Sequence, residues 1–292
     1  MIYTIQNAYL TVSAETSGAQ LLSLRSKDGT EYLWQGDPAY WEKRAPNLFP
    51  FVARLTGGKY LLDGHEYRMP IHGLAPYAEF SLAEQTETKL VFALRSDEET
   101  RKAYPRDFLF RVIYALHGST LEVVYQVENH DSKTLHFGLG GHPGFRVPLV
   151  EGLDFSDYRL RFSEPSLPHR VHFNESCFVT GRQDRYSLEG HTDLPLRHEL
   201  FDRDAIVLVE MPRQVTLESE KDSHKLTVSY PRMQYVGFWH MPKTDAPYLC
   251  IEPWTSLPAK SGQITEFEDK EDLIRLEPGL TYTNGWHITV EE

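Results

Sequence analysis

The chain has 292 residues, with 30 Lys and Arg against 42 Asp and Glu, a formal net charge of −12. That balance gives no generic electrostatic attraction to nucleic acid or to an anionic membrane. No apolar run approaches the roughly 18 residues needed to span a bilayer, and the opening MIYTIQNAYL lacks the basic and apolar regions of a secretory signal.

Hydrophobic residues at 40% and aromatics at 12% suit a globular chain with a large core. Cys177 and Cys250 are the only cysteines. They exclude a disulfide framework and a thiolate metal cluster, and a reducing, cytoplasmic location is expected.

Helical signals are few. Residues 37–45 and 269–275 are the two segments where a short helix is expected. Elsewhere the chain reads as short Val-, Ile-, Leu-, Tyr- and Phe-rich segments broken by Gly, Pro, Asp and Asn. In order, strands are expected at 8–13, 19–25 and 31–34, the last two around a Lys27-Asp28-Gly29 turn. Asp63-Gly64 between 59–62 and 66–69 is a hairpin signal. Strands then follow at 78–83, 89–95, 107–116 and 120–128. In the last, Leu121, Val123, Tyr125 and Val127 alternate with Glu122, Val124, Gln126 and Glu128, the mark of a half-buried antiparallel strand.

Further strands are expected at 135–140, 158–162, 205–210, 214–219, 225–230, 234–240, 248–252 and 281–290. The stretch 163–200, rich in Pro, Ser, His and Asp, reads as surface excursions. Many closely spaced strands without helical periods between them predict an all-β antiparallel sandwich or barrel-like fold. No linker or repeat interrupts it, so one domain over 1–292 is expected.

Three segments carry candidate chemistry. In the run from Leu135 to Pro143, Leu135, Phe137 and Leu139 share one face of a regular strand, and His136, Gly138, Gly140 and His142 the other. Glycines on a strand mark close approach of another group. That face is therefore either the floor of a binding cleft or a bulge at a sheet corner beside a solvated histidine.

In Tyr248-Leu249-Cys250-Ile251-Glu252-Pro253-Trp254, the side chains of Tyr248, Cys250 and Glu252 share a face. Desolvation there would disfavour the carboxylate. Glu252 is either a general base or a strand-end Glu paired with an Arg. The third segment is Asn47–Leu55 with His72-Gly73-Leu74-Ala75-Pro76. Arg54, in apolar surroundings, needs a partner and has a fork suited to sugar hydroxyls or a carboxylate. Trp239 and Trp254 offer flat faces for a sugar ring or for packing. No histidine or carboxylate spacing suggests a metal site, and phosphate-loop, dinucleotide and G-x-S-x-G motifs are absent.

Taken together, Asn47-Leu48-Phe49-Pro50 to Arg54, His72-Gly73, Tyr104-Pro105, Gly141-His142-Pro143 and Ile251-Glu252-Pro253-Trp254 resemble the aldose 1-epimerase (galactose mutarotase) family in order and spacing. The resemblance runs from about residue 4 to 290 and is nearest the LacX-type branch. It implies an antiparallel β supersandwich and an isomerase acting on an aldose, with no cofactor and no metal. By that match His142 is the general acid and Glu252 the general base. Arg54 and His72 position the sugar; Trp239, from the reading of its flat face rather than from the match, is a candidate to lie against it. Asp204, or else Asp202, fills the family's acidic substrate-binding role.

A hexose-6-phosphate mutarotase would need basic groups around the sugar tail, for which Arg44, Arg68 and Arg146 are the sequence neighbours. The residues also admit a non-catalytic sugar-binding protein on the same scaffold. A glycoside hydrolase would need two carboxylates about 5–9.5 Å apart, and only Glu252 sits in a motif. A small-molecule sugar partner and a monomeric or homodimeric state complete the expectation.

Overall fold

A computed structural model describes residues 1–260 and 262–292. Two large antiparallel sheets dominate it. The first has nine strands in the order Asp193–Pro195, Tyr158–Phe162, Gln214–Ser219, Lys225–Ser229, Thr281–Glu291, Thr120–Asn129, Phe108–His117, Lys89–Arg95 and Ser81–Gln85. The second runs Val179–Arg185, His169–Phe173, Ile206–Val209, Tyr235–Trp239, Tyr248–Trp254, Gly140–Gly141 and Asn47–Leu48, and Gly144–Arg146 also pairs with Tyr248–Trp254. A three-stranded sheet of Ile2–Gln6, Leu10–Glu15 and Leu21–Ser26 flanks them.

Side-chain alternation decides what each sheet faces. Leu121, Val123, Tyr125 and Val127 are fully buried, as their spacing predicts. They share one core with Leu208, Phe238, Leu249 and Ile251 of the second sheet. The other face of that second sheet carries Val207, Trp254, Tyr248 and Cys250, which belong to separate apolar clusters. The second sheet is thus buried on both sides, and its outer face is where polar chemistry has been admitted.

Local rules account for several elements. Asp63 and Gly64 both take positive φ, 53° and 74°, as a two-residue hairpin with native twist requires. The α-helix Glu98–Ala103 was not anticipated, although Asp97 and Thr100 cap it reciprocally through hydrogen bonds of 2.8 Å each way.

Both expected helices are corrected. Residues 37–45 make a single turn on Asp37, whose carbonyl accepts from Tyr40 and Trp41. In 269–275, a short turn at Phe267–Asp269 gives way to the strand Ile274–Leu276, drawn out by pairing with Leu135–Phe137. The stretch 163–200 holds three strands, His169–Phe173, Val179–Arg185 and Asp193–Pro195, lying toward or at sheet edges. Their polar composition reflects an exposed position rather than missing structure. Among the described residues no helix is long and apolar enough to cross a membrane.

Candidate active site

The strand Tyr248–Trp254 turns Glu252 to the outer face of the second sheet, in register with Gly237 of the neighbouring strand. The expected continuous strand 135–140 instead breaks after Phe137 and restarts at Gly140, which lies between Leu48 and Trp254. His142 follows directly, held by its backbone N–H to the Pro46 carbonyl at 2.9 Å. A histidine and a glutamate far apart in sequence are thereby brought together. Nε2 of His142 stands 3.3 Å from Oε2 of Glu252.

The break also separates the two histidines expected on one face. His142 enters the cleft, whereas the Nε2 of His136 accepts from Arg275 at 3.1 Å, in another hollow. The glycines are not an open floor either. A Cβ at Gly140 would lie 2.7 Å from the Trp254 ring, one at Gly138 would lie 2.2 Å from Ser256, and one at Gly141 would lie 2.6 Å from Trp286. Close approach does explain these glycines, but the approaching groups are the protein's own side chains.

The cleft has a volume of about 250 Å³. His142 stacks on Trp41 at 4.9 Å between ring centroids and meets Trp239 edge-on at 5.6 Å. His72 lies 5.3 Å from it, nearly perpendicular. His72 has φ 67°, and its Nδ1 accepts the Ala53 N–H at 3.2 Å, which leaves the ring proton of the neutral form on Nε2. Gly73 beside it is required: its φ is 81°, and a Cβ would lie 2.2 Å from the Phe49 carbonyl oxygen.

Arg54 also lines the cleft, but it is exposed, and its guanidinium has no hydrogen-bond or ion-pair partner among the described residues. The expectation that its surroundings demand a partner is corrected, because water reaches the guanidinium. Asp204 is on the cleft wall, where its Oδ2 accepts from the Cys177 thiol at 2.6 Å. Asp202 is exposed at the end of the turn His198–Phe201 and does not line the cleft.

Trp41, Lys43, Tyr77 and Cys177 also line the cleft, and sequence reasoning missed all four. Lys43 lies over the Tyr77 ring at 5.0 Å. Trp41 falls in the segment whose pattern suggests a helix. None of Arg44, Arg68 and Arg146 reaches the cleft. Arg44, for one, is occupied by the Leu22 carbonyl at 2.8 Å.

Burial sets the electrostatics. It pushes the Glu252 carboxyl well above the usual carboxylate range, and the Asp204 charge pushes the same way. Burial holds His142 well below the ordinary imidazole value, helped by the neighbouring His72. It lowers His72 to about 3, with Arg54 and Lys43 adding repulsion. Burial and the hydrogen bond to Asp204 raise the Cys177 thiol to about 11. The cleft therefore presents a carboxyl and an imidazole that both favour their uncharged forms, ringed by aromatic faces and a few hydrogen-bonding groups.

The antiparallel two-sheet architecture is that of the galactose mutarotase-like class of fold. A family model described as aldose 1-epimerase matches residues 1–286, and the chain belongs to that family. It is 34% identical over 300 residues to the plasmid form of protein LacX from Lactococcus lactis subsp. lactis, with 99% of each chain covered. The structure superposes with a TM-score of 0.95 on a galactose mutarotase related enzyme from Lactobacillus acidophilus, at 31% identity over 100% of this chain and 98% of that one. A galactose mutarotase-like protein from Lactobacillus casei ATCC 334 gives 0.94 at 29% identity, with both chains covered completely.

Proposed function

We propose that the protein is a mutarotase that interconverts the α and β anomers of a free aldohexose. One observation carries the reading: the Glu252 carboxylate and the His142 imidazole meet at 3.3 Å in one cleft. In a cyclic aldose the anomeric hydroxyl and the ring oxygen share a single carbon. Groups serving both must be neighbours, and these are.

Glu252 takes the proton of the anomeric hydroxyl while His142, protonated, delivers one to the ring oxygen. The C–O ring bond breaks, leaving the open aldehyde, a carboxylic acid and a neutral imidazole. Rotation about the first carbon–carbon bond presents the other aldehyde face, and closure returns both protons. The sugar thus relays one proton from His142 to Glu252 and back, so the pair holds one proton throughout. Burial drives the pair toward its uncharged form, which is the form present beside the aldehyde.

His72, through its Nε2–H, Arg54 and Asp204 hold sugar hydroxyls, and Trp239 offers an apolar face. The cleft is smaller than the roughly 300–1,000 Å³ of drug-sized pockets, a size for one sugar ring. Of the basic side chains, Lys43 and Arg54 line the cleft and the three candidate arginines do not. The group 3.3 Å from Glu252 is an imidazole, and the cleft's other carboxylate, Asp204, is engaged by the Cys177 thiol, which favours isomerisation over glycoside hydrolysis. Both cysteines are free, in keeping with a cytoplasmic enzyme.

The test is polarimetry of freshly dissolved α-glucose and α-galactose. The protein is expected to accelerate the approach to equilibrium for at least one of them. Sugar binding without acceleration would identify a binder instead.

A further inference from the structure

Three donors of different kinds meet beside the cleft: His142 and Glu252 line it, and Cys250 lies buried beneath the lining. Ligand atoms of His142, Cys250 and Glu252 all lie within 4.8 Å of one another, and among the described residues no other such group of three forms. All three residues are buried, Cys250 completely. Their placement is a product of the sheet. Cys250 shares the outer face of its strand with Glu252, and its register partner Gly144 lies two residues beyond His142.

Tetrahedral zinc sites have bonds of about 2.0–2.2 Å to nitrogen and oxygen and about 2.3 Å to sulfur. Such bonds hold the nitrogen and oxygen about 3.4 Å apart and the sulfur about 3.6 Å from each. The 3.3 Å between His142 Nε2 and Glu252 Oε2 already has this bite, and the thiol sulfur, within 4.8 Å of both, needs to close by at most about 1 Å. A second observation is independent of the spacing. That same Oε2 is buried and has no hydrogen-bond partner, a condition native structures seldom leave without a reason.

We propose that His142, Cys250 and Glu252 form a binding site for one thiophilic divalent cation, and that the bound ion stops turnover by occupying the acid–base pair. A thiolate, an imidazole and a carboxylate together select zinc-like ions over magnesium or calcium. Three protein ligands leave a fourth position open toward the cleft, for water or a sugar hydroxyl. On binding, the thiol proton and the one proton held by the His142 and Glu252 pair pass to solvent, so each ion releases two protons and nothing is oxidised or reduced. The inhibitory half rests on the mutarotase reading. The binding half does not.

Cobalt(II), read by the near-ultraviolet thiolate-to-metal charge-transfer band, tests the binding half directly. The band is expected to saturate at one equivalent in the wild type and in Cys177→Ser, to vanish in Cys250→Ala, and to be displaced by Zn²⁺. Its absence from the wild type, its survival in Cys250→Ala or its loss in Cys177→Ser overturns the proposal. Should Cys250→Ala not fold, the Cys177→Ser arm still decides which thiol binds. In the activity arm Zn²⁺ is expected to stop mutarotation, with the inhibitory concentration at least about tenfold higher in Cys250→Ala. Cobalt binding without zinc inhibition of an active wild type overturns the inhibitory half. A wild type inactive in the absence of metal refutes the mutarotase reading and leaves the spectroscopic arm standing.

Discussion

At Glu252 one substitution separates chemistry from folding. Gln keeps the shape and removes the base, so Glu252→Gln is expected to slow mutarotation by about 10²–10⁴-fold, while sugar binding persists. Titration calorimetry beside polarimetry reads both. The same change is expected to stabilise the protein at neutral and alkaline pH. The Glu252 pKa is raised by folding above its ordinary 4.5, so the native state holds this proton more tightly than the unfolded chain. Its burden on stability is absent below that ordinary value and grows as pH rises through the native one. Thermal melts across pH should show the variant's advantage appear as pH increases, and equal melts at every pH would contradict the assignment. Because the pair must carry one proton, the rate should fall only below the ordinary histidine range, as His142 gains a second proton. At high pH it should fall above the ordinary carboxylate range, as Glu252 loses its own.

Among the elements, the short strand Gly140–Gly141 has the least freedom. A methyl group at Gly140 would press on Trp254 at 2.7 Å and on the Pro253 carbonyl at 3.1 Å. Gly140→Ala should therefore destabilise by about 1–3 kcal/mol and displace the indole beside the cleft, which denaturant titration and sugar affinity would register together. A second junction ties the turn after Leu21–Ser26 to the body. His224 bridges Asp28 at 2.9 Å and Asp222 at 2.8 Å, and both hydrogen bonds raise its pKa. Its contribution is full below the ordinary value of 6.5 and is lost as pH rises through the native one. His224→Ala should remove that pH dependence from the melting curve.

Much of this level was legible in the sequence. Alternation gave Thr120–Asn129 and the other central strands, and Asp63-Gly64 gave its hairpin. Polar edge strands such as Val179–Arg185, where one face meets water and long-range pairing fixes the other, gave no such signal. For the site, family resemblance supplied His142, Glu252, His72, Arg54 and Asp204, all of which line the cleft. Trp41 and Cys177 reach it through loop paths that no local pattern encodes.

Taken whole, the molecule has one continuous core from Ile5 to Val290, joining the inner faces of the two large sheets and the flanking three-stranded sheet. We expect it to unfold as one domain, with a single transition seen alike by tryptophan fluorescence and by circular dichroism; two separated transitions would argue for independent units. That core also explains the placement of function. The inner face of the second sheet is committed to packing, so the proposed chemistry belongs to its outer face, where Tyr248, Cys250 and Glu252 alternate outward. The central claim is that Glu252 and His142 act as one acid–base couple on a single sugar, and polarimetric mutarotation rates for the wild type, Glu252→Gln, His142→Gln and the double variant test it most directly. The account predicts acceleration by the wild type, a severe loss in either single variant and little further loss in the double one. Near-wild-type rates in either single variant would contradict it.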